Sequence, residues 1–368
     1  MEAFAAVARE PHTEFTLEPI TLDGPRAGEV LVEIEAVGIC HTDLAARDGA
    51  LPTALPAVLG HEGCGVVRAV GDGVTKVSPG DRVAITFNSC GTCPSCTTGA
   101  PSYCHQFMHL AYDGVRDDGT GPITTTGGES LTGLFFGQSS FATHSIAFER
   151  NVVKVPGDVP AELLAPLGCG IQTGAGAVMR SLNCRPGSAI LVAGAGSVGL
   201  AAVMGAVVQG CATIIAVEPH QPRRDLALEL GATHVLDPAA GPLAEQVRAI
   251  IPAGVDYAID TSGVPAVIES LVGAMTFHGR IGLIGVPANP ESTIPLNIIN
   301  SLAMGLTITG IIEGDSVPDE FIPELIDLYK SGKFPLDKLV TTFPFTKIND
   351  AVDAQHRGEV LKPVLVHD

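Results

Sequence analysis

With 368 residues, the chain is long enough for about two domains with substantial cores. A hydrophobic fraction of 46% and a charged fraction of 17% exclude a disordered chain and fit a compact soluble one. The net charge of −19 speaks against a broad polyanion-binding surface, which needs a basic footprint, so nucleic acid is not an expected partner.

The N-terminal stretch MEAFAAVAREPHTEF has no basic region and no sustained apolar core, so no signal peptide is expected and the location reads as cytoplasmic. That compartment shifts clustered cysteines away from disulfides and toward metal. Over the first 90 residues, EVLVEIEAVGI, GCGVVRAVG and DRVAI alternate with the turn signals GDGV and SPGD, which predicts β-rich hairpins and bends. Residues 88–105 then place Cys90, Cys93, Cys96 and Cys104 in a Gly- and Pro-broken loop, C-x2-C-x2-C-x7-C. By spacing alone, disulfides, a zinc site, an iron–sulfur cluster and a nucleic-acid-binding zinc ribbon all remain open. A polar, Gly-rich stretch follows from Tyr112 to Gly137, and FATHSIAFERNVVKVP returns to strand character.

From about residue 171 the period changes. SAILVAGAGSVGLAAVMGAVVQGCATIIAVEP reads strand, Gly turn, helix, strand, and DLALELGATHVLDP, VDYAIDTSG and GRIGLIGVP continue the alternation. This pattern predicts an α/β fold with a doubly wound parallel sheet. No charge occurs between Arg185 and Glu218, a length that could span a bilayer, but Gly194, Gly196, Gly199, Gly205, Gln209 and Gly210 break it. It is read as a buried β-α-β unit, with no membrane partner. The tail, DEFIPELIDLYKSGKF and KINDAVDAQHRGE, predicts two amphipathic helices before the last strand, LKPVLV.

Between strand and helix, Gly194, Gly196 and Gly199 enclose Ala195, Ser197 and Val198 in the pattern G-x-G-x-x-G. The first glycine permits the turn, the second a close approach to a pyrophosphate, and the third close helix packing. Glu218 ends the next strand, nineteen residues after Gly199, where a carboxylate accepts ribose hydroxyls and repels a 2′-phosphate. NAD is therefore expected over NADP, with Arg223 and Arg224 nearby as the opposing signal.

Outside the loop, Cys40 in GICHTDL, His61 in LGHEG and Cys169 in PLGCGIQTG make up the donor set of a catalytic zinc with an open position. GHEGCGVVRAVGDGV, the four-cysteine loop and GAGSVG, in that order, resemble the zinc-dependent medium-chain alcohol dehydrogenases along nearly the whole chain. The resemblance implies a GroES-like β-rich catalytic domain, residues 1–170 and 312–368, with a structural-zinc lobe at about 88–105. A Rossmann NAD-binding domain would fill residues 171–311. It implies two zinc ions: a catalytic one on Cys40, His61 and Cys169, and a structural one on Cys90, Cys93, Cys96 and Cys104. Thr42 takes the position that hydrogen-bonds the alcohol, while Asp43 and Glu62 match carboxylates that orient the site, Asp43 through His61. Glu62 has the alternative of approaching the metal transiently. His41 and Lys362 match positions used for the coenzyme pyrophosphate, Thr173 the nicotinamide, and Ile284 and Val286 its carboxamide pocket. For Lys362, Ile284 and Val286 an ordinary structural role stays open. Cys64, Cys184 and Cys211 are read as packing residues.

ELLAPLGCGIQTGAGAV and FFGQSSFATHS look most like the bacterial aryl-alcohol branch of the family. That likeness implies reversible oxidation of a primary aromatic or allylic alcohol by a homo-oligomer, dimer or tetramer. A glutathione-dependent formaldehyde dehydrogenase of the same fold is the alternative activity. A zinc-free quinone or enoyl reductase is disfavoured by the three metal ligands. In well-known members a histidine lies three residues beyond the hydroxyl residue and relays the proton. Ala45 stands there in this chain, so the proton is expected to leave through ribose hydroxyl and water.

Overall fold

The computed structural model describes residues 1–367, which divide into two compact units. The first comprises residues 1–169, 317–326 and 336–367, the second residues 170–316 and 327–335. Compared with the expected 171–311, the second unit also takes residues 170 and 327–335, and it extends past 311 to include residues 312–316. The reason is local: Glu313 and Ser316 hydrogen-bond to Gln172, which lies in that unit.

The first unit holds two sheets. The five-stranded one orders Ala57–Val58, Glu2–Ala8, Thr16–Leu22, Ile123–Thr125 and Ser130–Leu131. The seven-stranded one runs Val152–Lys154, Arg82–Ile85, Gly63–Val70, Glu29–Gly38, Lys362–Val366 and Val340–Pro344, with His144–Phe148 also paired to Glu29–Gly38. Its central strand, EVLVEIEAVG, is long enough to serve three neighbours at different points along its length. The C-terminal strand joins antiparallel at Val364↔Gly38, Leu365↔Val37 and Val366↔Ala36. That register carries Lys362 to Ile39, a neighbour no local pattern announces.

The second unit is a six-stranded parallel sheet. Its order is His234–Leu236, Thr213–Val217, Ala189–Ala193, Val255–Asp260, Met275–Leu283 and Thr307–Gly310. Numbered along the chain this is 3-2-1-4-5-6, the doubly wound order whose strand direction of growth reverses beside the first strand. The charge-free run from Arg185 to Glu218 folds as strand Ala189–Ala193, helix Ser197–Val208 and strand Thr213–Val217, nearly all buried. Burial on every side explains its uniform apolarity. Among the described residues, no helix is long and apolar enough to cross a membrane.

Candidate metal centres and dinucleotide site

Cys40 caps helix His41–Arg47, and its backbone N–H donates to Asp43 Oδ2 at 2.9 Å. Asp43 is completely buried, a costly place for a carboxylate unless donors surround it. Its Oδ1 accepts from the Gly60 N–H at 3.1 Å and from His61 Nδ1 at 2.7 Å. With Nδ1 holding the proton, His61 presents Nε2 as a bare lone pair. Nε2 is buried and has no hydrogen-bond partner. It lies with the sulfurs of Cys40 and Cys169 and a Glu62 oxygen in a group whose ligand atoms are all within 4.8 Å of one another. An orphaned imidazole nitrogen facing two thiols is a costly arrangement that a soft-to-borderline cation relieves, so these residues fit zinc.

The charges agree with that reading. A hydrogen bond from Cys169 holds the Cys40 thiol well below its ordinary pKa against burial, with His61 and Lys362 adding to the effect. Burial would depress the His61 imidazole, yet Asp43 and Cys40 overcome it and raise its pKa well above the usual value. Thr42 Oγ1 lies 3.8 Å from Cys40 Sγ, beside the ligand set.

Glu62 and Lys362 form a buried pair, 2.8 and 2.9 Å from Nζ to the two carboxylate oxygens, and Nζ also donates to the Ile39 carbonyl at 3.3 Å. Lys362, expected at the coenzyme phosphates, is thus 1% exposed, with its ammonium committed to Glu62 and Ile39. Burial raises the Glu62 pKa, and the Lys362 charge opposes the shift. Room for the carboxylate comes from Gly38, where a Cβ would stand 2.0 Å from Glu62 Oε2.

Two features of this site lie within FFGQSSFATHS, but nothing in that segment's sequence announces their contacts with His61. Phe136 stacks on the His61 ring at 4.6 Å between centroids, and Phe135 meets it edge-on at 5.6 Å, with Phe107 and Tyr112 packed against Phe136. Gln138, fully buried, spends its amide on the His61 carbonyl at 2.8 Å and the Thr86 carbonyl at 3.2 Å. Its oxygen accepts from Gly63 N–H and Ser140 Oγ. It locks the backbone from His61 to Gly63.

The four loop cysteines also converge, with all sulfurs inside 4.8 Å and the Cys93–Cys96 and Cys90–Cys96 pairs at 3.5 and 3.9 Å. Sulfurs on a tetrahedral zinc at about 2.3 Å stand roughly 3.8 Å apart. Backbone N–H groups already point at them: Cys93 to Cys90, Cys90 and Gln106 to Cys104, and His105 to Cys93, at 3.2–3.4 Å. Donors from Thr92 and Cys93 pull the Cys90 thiol down to about 5, while burial pushes Cys104 up to about 12. A divalent cation held by Cys90, Cys93, Cys96 and Cys104 would remove that split by taking all four as thiolates.

In the second unit, Gly194 (φ +98°) makes the turn after strand Ala189–Ala193, and a Cβ on Gly199 would stand 1.9 Å from the Gly194 carbonyl oxygen. Around Gly196 nothing lies within 4 Å of a built Cβ, leaving its backbone and the start of helix Ser197–Val208, with Ser197 and Val198, open to a ligand. Glu218 is buried, and its two oxygens accept from Ala195 N–H at 2.9 Å and His220 N–H at 3.0 Å. Arg224 is committed to the Glu218 and Pro219 carbonyls and to Asp237. Arg223 is half-buried. Ile284 and Val286 follow strand Met275–Leu283 at its carboxyl end, half-buried and exposed respectively, while Thr173 is buried in helix Gly170–Gly176. His41 is exposed as the first residue of its helix.

Residues 26–157 match the family described as alcohol dehydrogenase GroES-like domain, and residues 197–331 the family described as zinc-binding dehydrogenase. Over 367 residues the chain is 46% identical to geraniol dehydrogenase of Castellaniella defragrans, covering 100% of this chain and 98% of that protein. The crystal structure of an alcohol dehydrogenase zinc-binding domain protein from Burkholderia ambifaria superposes with a TM-score of 0.98 at 46% identity, covering 100% and 99% of the two chains. That of benzyl alcohol dehydrogenase from Acinetobacter calcoaceticus gives 0.96 at 40% identity, covering 100% of each.

Proposed function

The chain belongs to the zinc-dependent medium-chain alcohol dehydrogenase family, and we propose that it oxidises a primary allylic or aromatic alcohol to the aldehyde with NAD, reversibly. The carrying observation is the buried, partnerless His61 Nε2 among the sulfurs of Cys40 and Cys169. In this reading each chain holds two zinc ions, one there and one on Cys90, Cys93, Cys96 and Cys104. When bound at the first site, zinc supplies Lewis acidity, which for water as reference lowers a pKa from about 15.7 to about 7, on the order of 12 kcal/mol.

This chain's own residues do the rest. Asp43 fixes the His61 tautomer, Phe136 and Gln138 fix its plane and backbone, and Thr42 accepts the alcohol's hydroxyl proton. Lys362, paired with Glu62, sets a positive charge beside the Cys40 and Cys169 sulfurs. Ala45 leaves no side-chain base three residues beyond Thr42, so the proton passes on through ribose hydroxyl and water. The Glu218 oxygens each have one protein donor and keep lone pairs for ribose hydroxyls. With Arg224 spent on carbonyls and Asp237, NAD is favoured over NADP.

The substrate class is supported by Phe135 and Phe136 against His61, with Phe107 and Tyr112 packed on Phe136. Relatives named for geraniol, which is allylic, and benzyl alcohol, which is aromatic, point the same way. A panel of benzyl alcohol, geraniol, ethanol and S-(hydroxymethyl)glutathione, read at the NADH absorbance band, tests it. We expect kcat/KM for the first two to exceed that for ethanol by more than about 100-fold, as a few kcal/mol of apolar burial allows. Parity with ethanol, a preference for the glutathione adduct, or a preference for NADP would each overturn the corresponding part.

A second copy of this chain is the proposed partner. Helix Ile298–Met304 has no buried residue and exposes Ile298, Ile299 and Leu302, each more than 70% accessible. It precedes Thr307–Gly310, the edge strand of the parallel sheet. An open edge beside exposed apolar side chains suits self-pairing about a two-fold axis. Sedimentation equilibrium should give an oligomer for the wild type and a smaller species for Leu302→Glu, whereas a monomeric wild type would refute the pairing.

A further inference from the structure

Glu313, Gly314 and Asp315 form a turn of three consecutive left-handed residues, with φ of +52°, +66° and +52°. Two of the three carry side chains, for which this conformation is strained. The turn is pressed against helix Gly170–Gly176: a Cβ on Gly314 would stand 2.4 Å from the Gln172 carbonyl oxygen, and one on Gly176 2.5 Å from that of Gly314. Close backbone contact at two glycines thus holds the strain in place and aims the Glu313 side chain inward.

Its carboxylate is buried and receives Gln172 Nε2 at 3.1 Å and Thr173 Oγ1 at 3.4 Å, the latter at the long end of hydrogen bonding. The other side of the Gln172 amide, Oε1, lies 3.0 Å from Ser316 Oγ, so the amide has one orientation. An ionised carboxylate can only accept, and the Thr173 hydroxyl therefore donates its one proton to Glu313. What Thr173 can offer a ligand is an acceptor lone pair.

We propose that Glu313 is a positioning residue for the coenzyme: it sets Thr173 as the acceptor for the nicotinamide carboxamide N–H, and its charge favours the cationic oxidised ring over the neutral reduced one. The proposal rests on the reading that Thr173 meets the nicotinamide of NAD. The carboxamide is common to both coenzyme forms, whereas the ring charge belongs to NAD⁺ alone. Orientation and charge therefore separate in a binding experiment.

Dissociation constants of NAD⁺ and NADH, measured on the zinc-loaded enzyme by calorimetry and by NADH fluorescence, supply the test. Glu313→Gln removes the charge at nearly constant shape and should weaken NAD⁺ by about tenfold with NADH changed less than about threefold, as one charge at short range in a protein interior allows. Glu313→Asp keeps the charge, tolerates the left-handed backbone and withdraws the oxygens from Thr173, so both constants should rise together with their ratio near wild type. Thr173→Val should likewise weaken both. If Glu313→Gln shifts both forms equally or neither, while Thr173→Val weakens both, the role of Glu313 is wrong and the nicotinamide reading survives. If Thr173→Val leaves both unchanged, that underlying reading fails. Should the Gln variant not fold, the Asp variant decides, since a collapsed ratio there would overturn the charge effect.

Discussion

Replacing Cys169 with alanine should abolish alcohol oxidation while leaving the fold intact. Cys169 follows the turn Ala165–Gly168, whose backbone is secured independently by Thr86 Oγ1 donating to the Gly168 carbonyl at 2.7 Å. Removing a sulfur therefore costs little packing, but it strips the His61 site of one of two thiolates. With a two-residue remnant, metal affinity falls and the charge stabilisation that activates the alcohol goes with it. If that stabilisation is worth the order of 12 kcal/mol, losing even half of it slows turnover by more than about 10⁴-fold. Metal analysis should show one zinc fewer per chain, with circular dichroism unchanged and the melting temperature close to wild type. A variant that turned over at a tenth of the wild-type rate, or that kept its full zinc content, would remove Cys169 from the metal site.

Cys104→Ala should do the reverse, lowering stability far more than it alters the site around His61. Within residues 88–105 the only regular elements are Pro94–Thr97 and Pro101–Tyr103, and among the loop residues Asn88, Ser89, Ser102 and Cys104 are the buried ones. Such a segment has almost no apolar core. Its order must come from its cross-links, and zinc binding is worth roughly 10–16 kcal/mol in isolated peptides. Only part of that reaches the rest of the unit, which has its own core, so about 3 kcal/mol or more is expected. At 2–4 °C per kcal/mol this is a melting-temperature drop of at least about 6 °C. Limited proteolysis should find new cleavage within residues 88–105, and zinc content should fall by one. A wild type that carries a single zinc would show that the loop is no metal clip.

Much of this was legible in the amino-acid sequence because the relevant chemistry is local or carries fixed spacing. The turn of Gly194, Gly196 and Gly199 is legible because each glycine answers a steric demand within six residues. The four-cysteine loop is legible because metal ligands cluster when one short segment wraps an ion. Strands such as Gly63–Val70 and Val255–Asp260 show their apolar runs directly. His61 and Asp43 were paired only through family resemblance, since nothing in the seventeen intervening residues of sequence forces their contact.

Tertiary structure decided the rest, and in each case the reason is that two distant segments meet. Lys362 reaches Glu62 across 300 residues because the last strand joins the C-terminal end of the Glu29–Gly38 strand. A lysine read as a phosphate contact is thereby buried as a counter-ion. The short strand Val340–Pro344 carries no strong period and exists because Lys362–Val366 offers it an edge. Gln138 and Phe136 sit in a stretch whose glycines and polar residues read as loop. Their backbones are shaped by left-handed residues at Leu134, Phe136 and Ser139, a geometry that no propensity of Leu, Phe or Ser predicts. Local sequence determined which residues could bind zinc and a dinucleotide. The packing of remote segments determined which charges and rings stand against them, because burial and long-range pairing are properties of the folded chain alone.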